Sequence, residues 1–137
     1  RLSDHPALKA AAIFNQSQLW IRSEPERAVK KLDELLSLLP DYKGARWLRG
    51  EAKLGLARLT KGPERAELAR SAVADLERAK AKNPGEAGVL FLLATGHELA
   101  QERDQARGVF CELAELGTGR IHIGAKKKCA SLSLKLP

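Results

Sequence analysis

The chain has 137 residues, 44% hydrophobic and 30% charged, enough to bury a core and too apolar for a disordered segment, so one soluble globular domain over 1–137 is expected. Its longest apolar run is the six residues Val89–Ala94, too short to span a bilayer. The formal net charge is +7, but five basic residues and no acid follow Gly117, while the preceding 116 residues carry 19 basic and 17 acidic groups; the excess belongs to a tail, and such tails are more often a solvated helix face than a phosphate-binding surface.

Almost every segment has helical period. Asp4 with Pro6 opens a first helix running to about Arg22, with Leu8, Ala12 and Leu19 on its apolar side. Ser23-Glu24-Pro25-Glu26 has the form of a capping box, in which serine oxygen and glutamate carboxylate accept from free backbone N–H groups; it starts a second helix at Glu24 that ends before Pro40. Asp41 is the expected cap of a third helix, to about Leu59. Gly62-Pro63-Glu64 starts a fourth, which stops at Asn83-Pro84-Gly85, a left-handed residue followed by a breaker. Glu86–Ala100 and Asp104–Leu116 give a fifth and sixth, closed by Gly117-Thr118-Gly119. Residues 119–135 form a closing helix, with Ile121, Ala125, Cys129 and Leu132 at helical spacing. That face is expected to cover the preceding helix pair, the alternative being a tail folded back into a groove. The alternation Leu132, Leu134, Leu136 is too short to stand as a strand, so the fold class is all-α, with antiparallel neighbours joined by short turns.

An internal echo runs through these helices. Ala28–Leu32–Leu35, Ala72–Leu76–Ala79 and Ala106–Phe110–Leu113 share one spacing, and in the first two copies a proline follows five residues on, at Pro40 and Pro84. The first helix of the second copy carries Ala45, Trp47, Leu48, Gly50 and Ala52; that of the third carries Leu90, Leu93 and Ala94; the first copy is weaker, with Ala12, Asn15, Gln16 and Leu19. On these residues the chain resembles the tetratricopeptide repeat family, whose unit is a helix–turn–helix of 34 residues. Ala72 to Ala106 is 34 residues and Ala28 to Ala72 is 44, one unit plus ten. The resemblance implies an α-solenoid of three helical hairpins at about 9–42, 43–86 and 87–118, plus the capping helix. The ten extra residues fall around Ala57–Glu67 and are expected to lengthen both helices of the second hairpin into a finger, held by Leu56, Leu59 and Leu68.

What the resemblance implies about function is a non-enzymatic scaffold: first helices line a concave groove that takes a partner peptide or helix. Carried over residue by residue, the groove-facing places are Ile13, Ser17 and Trp20, then Trp47, Glu51 and Leu54, then Phe91, Thr95 and Glu98. This set holds both tryptophans in a chain only 4% aromatic, which points to apolar and aromatic anchoring. The Lys, Asn and Arg with which some family members clamp chaperone C-termini are absent: their places hold Ile13, Ser17, Leu48, Gly88 and Leu92.

Other chemistry has little to stand on. His5, His97 and His122 are isolated and in no zinc spacing, and His97 reads as a satisfied core or groove histidine. Cys129 with His122 has no orienting acid, and Gly117-Thr118-Gly119 lacks the strand and lysine of a phosphate loop. No catalytic residue, metal, cofactor or small-molecule substrate is therefore expected. Cys111 and Cys129 are expected as two free thiols in a reducing compartment, the alternative being a disulfide in an oxidising one. Two rival functions remain. One is self-association as a homodimer through exposed stack ends. The other is a basic surface for RNA or a membrane, built on Lys43, Arg46, Arg49 and Lys53 on one side of the third helix together with Lys126–Lys128. The latter lacks an aromatic residue within its basic face. Composition has a bacterial look, and the cytoplasm is the expected compartment, or the periplasm if a targeting segment has been removed.

Overall fold

The computed structural model describes residues 5–134, and among these there are seven α-helices and no strand. They are α1 Pro6–Trp20, α2 Pro25–Leu38, α3 Ala45–Leu59, α4 Pro63–Lys82, α5 Ala87–Leu99, α6 Arg103–Glu115 and α7 Arg120–Ser133. Proline occupies the first turn of α1, α2 and α4, where its missing N–H costs nothing and its fixed φ suits the helix. Asp4 and Leu136 lie outside the described residues, and Leu132 is part of α7.

Consecutive helices pack against one another all along the chain, as short turns require. The odd-numbered helices also touch: α1 meets α3, α3 meets α5, and α5 meets α7. Among the described residues no backbone contact joins α2 to α4 or α4 to α6. The odd helices therefore form a close layer and the even helices a spaced one. Long charged side chains span the spaces of the second layer. Arg49 on α3 reaches Asp33 on α2 at 3.0 Å and Asp75 on α4 at 2.8 Å, and Lys80 on α4 reaches Glu112 on α6 at 3.1 Å.

The nine residues of the three echoed triplets are all buried, one triplet on each even helix, facing the odd layer. Small residues on the odd helices receive them. A methyl group at Gly50 would lie 2.7 Å from Leu76 Cγ and 3.3 Å from the Ala72 carbonyl oxygen, so only glycine lets α3 and α4 approach this closely. The core falls into two clusters. The larger gathers Leu54, Leu76, Leu90, Leu93, Phe110 and Leu113 from α3–α6, with Ala125 of α7. The smaller joins Ala10, Ile13, Leu32, Leu35 and Leu36 to Ala45. Helix α5 touches α3, α4, α6 and α7, which explains why its sequence is apolar nearly all round.

Several local expectations are corrected. Helix α1 buries Ala10, Ile13 and Ser17, leaving Leu8 (48%) and Leu19 (79%) exposed with Ala12, because its apolar residues cover two faces and α2 with α3 can take only one. The capping box does not form: α2 starts at Pro25, which puts Glu24 and not Ser23 at the cap position with no side-chain cap bond, and the Glu26 carboxylate lies 3.7 Å from Lys30 instead. Asp41 caps nothing; Gly44, at φ 84°, is the residue before α3, and turn bonds from Tyr42 N–H to Leu39 O and Ala45 N–H to Tyr42 O fill the gap. Asn83 has φ −135° and is not left-handed; its backbone N–H donates to the carbonyls of Ala79 and Lys80, and its side-chain amide also donates to Ala79. Of the two helices expected to be lengthened only α4 is long, at 20 residues, while α3 has 15 like α1. Leu59 is 73% exposed and holds no finger together.

The expectation of two free thiols is also overturned: Cys111 of α6 and Cys129 of α7 are joined in a disulfide. Packing of α7 onto α6 brings their Cα atoms to 4.8 Å, within bridging range. Ile121, Ala125, Cys129 and Leu132 do face the larger cluster, so α7 covers the last helix pair. His122 fastens the turn, its Nδ1 lying 2.8 Å from the Leu113 carbonyl oxygen.

Candidate functional site

The nine groove places divide by depth. Ile13, Ser17 and Leu54 are buried and offer nothing to a ligand; Ser17 Oγ donates to Ile13 O at 2.8 Å, and Leu54 belongs to the larger cluster. Trp20 is half-buried under the Arg27 guanidinium, 4.4 Å from the ring centroid, and so is tied to the start of α2. The remaining five lie on α3 and α5. Trp47 is wedged between these helices, and a methyl group at Gly88 would come within 2.9 Å of its Cζ2. Glu51, Thr95 and Glu98 are half-buried, and Phe91 is 41% exposed. Phe91, Thr95 and Glu98 follow one face of α5, and Thr95 Oγ1 donates to Phe91 O at 2.9 Å. Lys128 of α7 extends this face, donating to Glu98 Oε2 at 2.8 Å.

The basic stretch of the third helix is divided in two. Lys43 lies in the turn before α3, not on the helix. Arg49 and Lys53 are spent on Asp75, which is 3% exposed: Arg49 makes two bonds of 2.8 Å and Lys53 sits at 2.9 Å. Burial pushes the Asp75 carboxyl up, but hydrogen bonds from Arg49 and Lys53 outweigh it and hold the group below the usual carboxylate value. The same hydrogen bond to Asp75 raises Arg49 against the opposing effect of burial.

Lys43 and Arg46 turn instead toward a cleft of about 650 Å³, between the α2–α3 turn and the end of α4. Arg78 and Lys82 of α4 face them across it, and Tyr42 and Trp47 supply aromatic walls. Arg46 is steadied by donating to Pro40 O at 3.2 Å, with Asp75 3.8 Å away. Tyr42 packs on Phe14 with ring centroids 5.5 Å apart.

Comparison with family models, curated proteins and solved structures found no match.

His97 is buried, its Nδ1 2.9 Å from Glu102 and its Nε2 3.7 Å from Glu77. It thus ties α5 to α4 and to the turn before α6. Among the described residues no group of three His, Cys, Asp or Glu side chains is placed to hold a metal ion, and no helix is long and apolar enough to cross a membrane. Two features escaped the sequence. Asp75 sits among the buried places Ala72, Leu76 and Ala79, and an acid on an apolar face was the available sign of a buried partner. The cleft needed the pairing of Arg78 and Lys82, one turn apart on α4, with Lys43, 35 and 39 residues earlier, which no local spacing reveals.

Proposed function

We propose that the chain is a non-enzymatic interaction module, an α-solenoid of three tetratricopeptide-like hairpins with α7 as cap, which takes a partner peptide or helix along its odd-helix face. The architecture is supported by the burial of all nine triplet residues and by a close odd layer beside a spaced even one, the arrangement that curves a stack toward its odd helices. The observation that carries the binding surface is Phe91, a large apolar side chain left 41% exposed one turn along α5 from Gly88, where the half-buried Trp47 packs, with Thr95 and Glu98 on the same face of α5. Aromatic anchors inside a polar rim are what peptide recognition uses. The face is shorter than first expected, confined to α3, α5 and the edge of α7, since α1 contributes only buried or covered side chains. The test compares capture from a nuclease-treated lysate of the source organism by wild type and by Phe91→Glu, each confirmed helical. A protein retained by wild type and lost by the variant is expected; equal retention would remove this face from consideration.

A second reading is favoured by one observation, the stripe of Leu8, Ala12 and Leu19 uncovered on α1. That stripe supports self-association through the first helix. Sedimentation of wild type against Leu19→Glu decides it: a dimer that the variant abolishes supports this reading, and a wild-type monomer discards it. Of the cations the RNA or membrane alternative assigned to the third helix, Arg49 and Lys53 are taken by Asp75 and Lys43 lies in the turn before it.

A further inference from the structure

The same end of α3 has a neighbour of different chemistry. Lys43, Arg78 and Lys82 have no ion-pair or side-chain hydrogen-bond partner among the described residues, whereas Arg49, Lys53, Lys80 and Lys128 all have one. These three free cations, with Arg46 held beside them, surround one concave cleft of about 650 Å³ that also exposes part of Trp47 and Tyr42. Cations gathered in a concavity with low-dielectric walls reinforce one another's field and repel each other while the site is empty. A complementary negative ligand relieves that repulsion.

We infer that this cleft binds an acidic peptide segment of a partner protein, carboxylates on Lys43, Arg78 and Lys82 and an apolar side chain against Trp47. This deepens the groove reading and rests on it through Trp47, which belongs both to the odd-helix face and to the cleft wall. The geometry favours a peptide over a nucleic acid. The cations are confined to one cleft rather than laid along a track, and the Trp47 ring is wedged at Gly88, so it is not free to stack between bases. Asp41 at the rim gives a backbone N–H donor of the peptide something to meet.

The test uses fluorescence anisotropy with a labelled pool of short peptides, Asp or Glu at alternate positions and Leu, Ile or Phe between them. A matched pool with Lys for each acid and a labelled oligouridylate serve as comparisons. The proteins are wild type, a cleft variant (Lys43→Gln, Arg78→Gln, Lys82→Gln), a charge-matched tail variant (Arg120→Gln, Lys126→Gln, Lys127→Gln) and Phe91→Ala. All of the altered cations are exposed, so folding is not at risk. The acidic pool should bind wild type and the tail variant alike, lose about tenfold or more in the cleft variant, and weaken as salt rises. Absence of acidic-pool binding, equal loss in both triple variants, or tighter binding of oligouridylate through the cleft would each overturn the inference. Loss in Phe91→Ala with none in the cleft variant would overturn the cleft and leave the groove standing. Loss in the cleft variant alone would uphold the cleft and place its ligand away from Phe91.

Discussion

Asp75 shows what a single side chain decides. It is a nearly buried carboxylate with Arg49, Lys53 and, farther off, Arg46 directed at it, so removing its charge leaves these cations facing one another with only the exposed Asp33 still paired to Arg49. Asp75→Asn is expected to cost about 3 kcal/mol in urea unfolding, the scale of breaking a buried pair from one side. Because its pKa is depressed in the folded state, the stabilisation is present above the unfolded carboxylate value and lost as pH falls through the lower folded one. The stability gap between wild type and Asp75→Asn should thus be constant from about pH 5 upward and shrink below about pH 4. Glycines make an opposed pair of predictions. Gly108, in α6, has open space where a methyl group would stand, with nothing within 4 Å, so Gly108→Ala should gain about 0.5–1 kcal/mol from backbone entropy. Gly50→Ala gains the same entropy but drives a methyl into Leu76 and toward the Ala72 carbonyl, and a net loss of about 1–2 kcal/mol is expected in the same denaturation series. Burial of Leu32, Leu35, Leu76 and Leu113 was legible from spacing; Asp75 carried only a sign, an acid among buried places, since its partners lie on other helices.

At the scale of the element, the seven helices were legible because proline and glycine punctuate a strong 3.6-residue pattern. Their first and last turns were less so. Ser23 and Asp41 are good caps by residue type, yet each stands too far before the first helical residue, because Pro25 and the left-handed Gly44 set the starts of α2 and α3. Which face of α1 is buried also escaped the pattern, since both of its faces are apolar and only the packing of α2 and α3 chooses between them. The candidate site was half legible: Trp47, Glu51, Phe91, Thr95 and Glu98 share the α3–α5 face, whereas Ile13, Ser17 and Leu54 sit one helical step inward, in the core. Helix α7 depends on its fastening. It buries only Ala125 fully, so the Cys111–Cys129 bond, closing a span of 18 residues, contributes much of its attachment. Cys129→Ser is expected to cost about 3 kcal/mol, read as a lower Tm in calorimetry, with α7 amides losing protection first.

Over the whole molecule, the two-part core matters most. The smaller cluster of α1, α2 and the start of α3 buries fewer large side chains than the one spanning α3 to α7, and the α2–α3 junction is lined by small residues such as Ala28, Ala45 and Ala52. Native-state hydrogen exchange should therefore show α1 and α2 opening at lower free energy than α4 and α5; uniform protection across all of them would contradict this division. Arg49, bonded to Asp33 on one side and Asp75 on the other, is a polar tie between the two parts.

The two tryptophans stand one in each part. Trp20 lies beneath a guanidinium at the end of α1, and Trp47 lies against Gly88 where α3 meets α5. Emission from a Trp47→Phe protein reports the first helices alone, and emission from Trp20→Phe reports the second part together with the mouth of the basic cleft. The chain thus carries two native optical labels at separate addresses, and one titration of each variant resolves local opening from ligand arrival without any dye.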